Sequence, residues 1–110
     1  MVYSPPIELI RKVTLMALLH IALQEGFRGD DVVVRVQGEE VFRKEDVTTR
    51  PQIGYADSFE VEAEGEEVKV EVLLPLKKLS ETVMLQVPPT EYLGLSINEG
   101  RIDYRSKREP

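Results

Sequence analysis

The chain contains no cysteine. That removes disulfide staples, a thiolate nucleophile and every cysteine-held zinc or iron–sulfur site. Histidine is almost as scarce, with His20 the only one, so a site built from several imidazoles is excluded by counting. A nucleophile–base–orienter set has that single imidazole to draw on. Long apolar runs are missing as well. The longest, Val13 to Leu23, is 11 residues and still holds Thr14 and His20, whereas a spanning helix needs about 20. Amides are few, with Asn98 the only Asn and Gln at four positions, 24, 37, 52 and 86. Together with abundant Glu, Arg, Lys and Val, this is a thermophile-like pattern.

Sequence motifs for phosphate and metal are absent too. There is no G-x-x-x-x-G-K-[ST], no G-x-G-x-x-G and no D-x-[DN]-x-[DN]-G, and Asp30 and Asp31 are adjacent rather than spaced for an EF-hand loop. No cofactor and no metal are expected. Residues 1–6, Met-Val-Tyr-Ser-Pro-Pro, carry no basic side chain, and Pro5–Pro6 would break a signal-peptide apolar region. A cytoplasmic chain without membrane segments is the expectation. A length of 110 residues, with no repeat and no Gly/Ser- or Pro-rich linker, predicts a single domain over 1–110.

Several signals point to a helix over residues 5–25. Ser4 suits the N-cap, Pro5 and Pro6 the first turn, and Glu8 the positive end of the dipole. Gly26 suits the left-handed position after the last turn. At 100° per residue Leu9, Val13, Met16, His20 and Leu23 share one side; Ile7, Ile10, Ala17, Leu18 and Ile21 share the other. A helix apolar all round its middle has to be covered on more than one side. One sheet covers only one, so either side is a candidate subunit interface and a homo-oligomer is expected. His20 reads as a buried base, a pH-sensing group or a core or interface histidine.

After the helix the apolar period becomes 2 and stays there. Val32, Val34 and Val36 alternate, a turn follows at Gly38–Glu39, and a short strand lies near 41–43. Residues 44–57 read as a long loop. Phe59, Val61 and Ala63, with Gly65 and then Val68, Val70 and Val72, read as a hairpin. Val83–Val87, Leu93–Ile97 and Ile102–Tyr104 add further strands. The expected fold class is α+β: one long N-terminal helix packed on an antiparallel sheet or small β-sandwich of six to seven short strands, spanning 31–104, with a basic tail over 105–110.

Net charge is −6, which disfavours nucleic acid and anionic membranes as partners. Between Asp57 and Glu71 seven acids face Lys69 alone, and the other residues carry 13 acids and 13 bases. The whole imbalance therefore lies in one segment. Glu60, Glu62, Glu64, Glu67 and Glu71 alternate with the apolar residues there. They are expected on one outer face, either docking a basic protein partner or keeping sheet edges apart. Arg101, Arg105, Lys107 and Arg108 form the basic complement near the C-terminus.

Residues 58–104 resemble the small heat-shock and CS-domain β-sandwich in one respect. Val-Lys-Val-Glu-Val-Leu-Leu-Pro (68–75), Val83–Val87 and Leu93-x-Leu95-x-Ile97 follow the order of strand, Leu-Pro step, connection and two further strands in those folds. Leu76 stands where the small heat-shock pattern has Gly after Pro, and neither the Ile-x-Ile tail nor the Trp-containing CS signature is present. The resemblance implies a co-chaperone-like adaptor with an acidic docking face. The leading expectation is a non-catalytic interaction or assembly module that self-associates through its helix. An enzyme with a carboxylate site in an oligomeric cleft stands third.

Overall fold

Seven- to nine-residue stretches in which every second side chain is apolar pack best as strands that bury one face. The structure, a computed structural model, describes residues 17–63, 67–87 and 90–107. Those residues form eight strands, most of them of this kind, against the six to seven expected: β1 (Ala17–Leu23), β2 (Asp30–Val36), β3 (Glu39–Val47), β4 (Asp57–Ala63), β5 (Glu67–Leu74), β6 (Leu79–Gln86), β7 (Tyr92–Asn98) and β8 (Arg101–Lys107). They build two four-stranded sheets, ordered β4-β1-β7-β8 and β3-β2-β5-β6. In the first sheet β1 and β7 run parallel while the outer pairings are antiparallel. The second is antiparallel throughout.

The two inner faces meet in one apolar cluster. Leu19, Ile21, Leu23, Leu93 and Leu95 come from the first sheet and Val32, Val34, Val68, Val70, Val72 and Val83 from the second. All of these side chains are wholly or almost wholly buried, as expected where two apolar layers pack into one dense interior. On one side of the sandwich, Phe42 of β3 and Phe59 of β4 stack with ring centroids 4.4 Å apart.

The expected α+β class is overturned. Ala17–Leu23 is a central strand, not the last two turns of a helix, and residues 5–16 lie outside the described residues. The physical reason is the all-round apolarity itself. In β1 only Leu19, Ile21 and Leu23 form the buried face, and the alternation is hidden because Leu18 and Ala22 on the other face are apolar as well. The pairing Ile21↔Phe59 on one edge and Ile21↔Leu93 on the other gives the strand a neighbour on both sides. Leucine and alanine favour helix intrinsically, but tertiary burial outweighs a propensity of a few tenths of a kcal/mol per residue.

The expected hairpin over 59–72 is also corrected. β4 pairs with β1, whereas β5 pairs with β2 and β6, so the two strands belong to different sheets. Gly65 lies outside the described residues. Two other turns are two-residue hairpin loops. Gln37 and Gly38 have φ of 52° and 81°, Glu99 and Gly100 have 50° and 75°, and Val36↔Glu39 and Asn98↔Arg101 close the ladders. Positive φ at both central residues matches the right-handed twist of the flanking strands.

Candidate functional site

Register fixes what the outer face of the first sheet presents. Glu60, His20, Tyr92 and Lys107 form one row across all four strands. Ser58, Ala22, Gly94 and Arg105 form the next. Beyond them Ser96 is opposite Asp103, and Asn98 opposite Arg101. Each complete row thus runs from the β4 edge to the β8 edge. Acid stands at one edge in Glu60 and Glu62, and base at the other in Arg101, Arg105 and Lys107, with Asp103 among them. The middle of the face carries no acid and no lysine or arginine: His20, Ala22, Tyr92 and Gly94 occupy it.

The two edges are alike in one respect. Among the described residues no strand pairs with the far side of β4 or of β8. Both ladders are unbroken over seven residue pairs, Ala17↔Ala63 to Leu23↔Asp57 and Tyr92↔Lys107 to Asn98↔Arg101. An unpaired strand edge offers a row of N–H and C=O groups to any extended segment that meets it. On β8 every residue except Ile102 is exposed.

Local ion pairs decide which acids on β4 stay uncompensated. Asp57 accepts a hydrogen bond from Lys44 Nζ at 2.7 Å, which holds its carboxyl below the usual range and ties β4 to β3. Arg43 makes the equivalent bond to Glu40 on β3, lowering the carboxyl and raising the guanidinium. Among the described residues Glu60 has His20 as its charged-group neighbour, with Nδ1 3.3 Å away, and both side chains are about half exposed. Glu62 and exposed Leu18 lie opposite each other at the end of this face.

The residues singled out from sequence are brought together only in part. Leu9, Val13 and Met16 lie outside the described residues. His20 and Leu23, grouped on one helix side, fall on opposite faces of β1: Leu23 is fully buried and His20 is partly exposed. The five glutamates do not make one face. Glu60 and Glu62 belong to the first sheet, Glu67 and Glu71 to the second, and Glu64 lies outside the described residues. Arg101, Arg105 and Lys107 are strand residues rather than a free tail, and Arg108 lies outside the described residues. Sequence reasoning missed Tyr92 and the edge position of β8. The only signal was the Ile102–Tyr104 alternation continuing into Ser106.

An open groove of about 800 Å³ follows the first half of β8, and its lining includes Gln24, Glu81, Ser96, Asn98, Arg101, Asp103, Tyr104 and Arg105. Its charges are mixed in sign. Among the described residues no three His, Asp or Glu side chains gather as metal ligands do. No helix among them is long and apolar enough to cross a membrane. The architecture is that of an eight-stranded, two-sheet β-sandwich. Comparisons with protein-family models, curated proteins and solved structures find no match to the chain.

Proposed function

We propose that this chain is a non-catalytic protein-interaction module that takes on partners by extending its first sheet at the edges. One observation carries the proposal: among the described residues that sheet ends on both sides in long, regular strands with no partner on their outer edges, and their outward charges are opposite in sign. Strand addition of this kind draws affinity from main-chain hydrogen bonds and specificity from the alternate side chains. Here β8, with Arg101, Arg105 and Lys107, selects an acidic extended segment, and β4, with Glu60 and Glu62, a basic one. Cytoplasmic residence belongs to the same proposal.

The test is a titration followed by amide NMR, using peptides that alternate valine with glutamate or valine with lysine. The acidic peptide is expected to shift and slow the exchange of β8 amides, and the basic peptide to do so at β4. Shifts confined to the loops, or none at millimolar peptide, would remove the edges as the working surface.

A further inference from the structure

Resting on that reading of the edges, we infer that the partner they take is a second copy of this chain, with β8 of one molecule lying alongside β4 of the next. Three observations lead there. The first is complementarity within one molecule, since the base-rich edge and the acid-rich edge belong to the same sheet and to the same outer face. Like edges match poorly. Two β4 strands related by a two-fold axis at residue 60 would set Glu60 against Glu60, and two β8 strands centred on Tyr104 would set Arg101 against Lys107, offsetting what Asp103 gains against Arg105. Like charges directly opposed on neighbouring strands are unfavourable.

The second observation is register. If the next copy keeps its outer face on the same side and offers β4 to β8, the two strands must run parallel, because any reversal either exchanges the edges or turns the face over. Side chains at 58, 60 and 62 then face those at odd positions of β8. One alignment sets Glu60 beside Arg105, Glu62 beside Lys107 and Ser58 beside Asp103, with no like pair. Shifting it by two residues toward the start of β8 brings Glu60 onto Asp103. On the inner side the same alignment places Phe59 next to Tyr104, two aromatic rings of which Tyr104 is 48% exposed in the single molecule. Aromatic cross-strand pairs are among the favourable ones.

The third is that the other sheet has only one regular edge, β6, unbroken over eight residue pairs, and so lacks the matched pair of edges that head-to-tail addition needs. Its β3 edge is interrupted by register irregularities between Asp30 and Val32 and between Val34 and Arg35. Asp46 has a φ of 55° within the strand. Bulges of this kind bend a strand and end pairing. The contact is heterologous, so repetition closes into a ring or continues as an open filament, according to the rotation per copy. Salt screens its charge pairs.

The experiment is sedimentation velocity with light scattering on the full chain across concentration, for the wild type and for charge-reversed variants, each first checked for strand content and melting temperature. The wild type is expected to assemble with concentration, more strongly at about 0.1 M than at about 1 M salt. Glu60→Lys with Glu62→Lys, and separately Arg105→Glu with Lys107→Glu, should each raise the concentration needed for assembly about tenfold or more. Mixing the two folded double variants should restore assembly, and so should all four reversals in one chain. Failure of either restoration in folded protein overturns the register, and a wild type monomeric at millimolar concentration overturns self-recognition. If that monomer still binds the alternating acidic peptide at β8, the edge module stands without self-recognition; if it binds neither, both fall.

Discussion

Gly26 has a φ of +89°, and a Cβ built there would stand on the carbonyl oxygen of Ile97. That neighbour is main chain, held by the bond from Ile97 N–H to Glu25 C=O at 2.8 Å, so it has little room to give. Gly94 is the useful contrast. Its φ is ordinary, and an added Cβ would meet the Gln24 side-chain oxygen at 2.6 Å, the far end of a chain that swings aside cheaply. Gly26→Ala is therefore expected to lose roughly 2–3 kcal/mol in urea unfolding, and Gly94→Ala no more than about 1 kcal/mol. Equal losses would mean the β1–β2 loop does not pass Ile97 as described. Sequence did show that Gly26 needs a left-handed backbone, but gave a helix end as the cause. The actual cause, an approach to a residue 71 positions away, leaves no local trace. Asp30 is similar. It is buried at 2% exposure, accepting from Arg28 N–H at 2.8 Å and from Lys77 Nζ at 3.0 Å. Its lysine partner lies 47 positions away, so the sequence shows only two adjacent acids.

Strands that bury one face were legible wherever apolar residues alternate with polar ones. Val32–Val36, Val68–Val72, Val83–Leu85 and Leu93–Ile97 lie in β2, β5, β6 and β7. Where both alternating sets are apolar the period disappears, and β1 is that case. Leu19, Ile21 and Leu23 are wholly buried, while Leu18 is 43% exposed and Ala22 is covered by its neighbours. Partner choice was less legible than strand position, since β4 and β5 follow one another in sequence yet enter different sheets. Alanine substitution along β1 separates strand from helix directly. Leu19→Ala, Ile21→Ala and Leu23→Ala should each cost about 2–5 kcal/mol, and Leu18→Ala and His20→Ala under about 1 kcal/mol. A profile with a period near 3.6, in which His20 and Leu23 move together, would restore the helix and remove the first sheet's centre.

Charge in the whole molecule has two separate consequences, and salt acts on them in opposite directions. The imbalance of −6 arises in a segment that the fold divides between its two sheets, so the described acids are spread over opposite outer faces instead of forming one docking patch. Within a single molecule they repel at distances comparable to the Debye length, and added salt relieves that repulsion. Between molecules, the polarity from Glu60 and Glu62 to Arg105 and Lys107 is attractive, and added salt weakens it. Removing residues 105–110 would confound the two, because Arg105, Ser106 and Lys107 pair with Gly94, Leu93 and Tyr92 and their loss unzips β8. Raising salt from about 0.1 M to 1 M is cleaner. At protein concentrations where the chain is monomeric, the melting temperature should rise by a few degrees as roughly 1 kcal/mol of self-repulsion is screened. At concentrations where it assembles, the mean mass should fall over the same range. A melting temperature and a mass that change in the same direction would show that assembly is apolar in origin and that the opposite charges of β4 and β8 do not drive it.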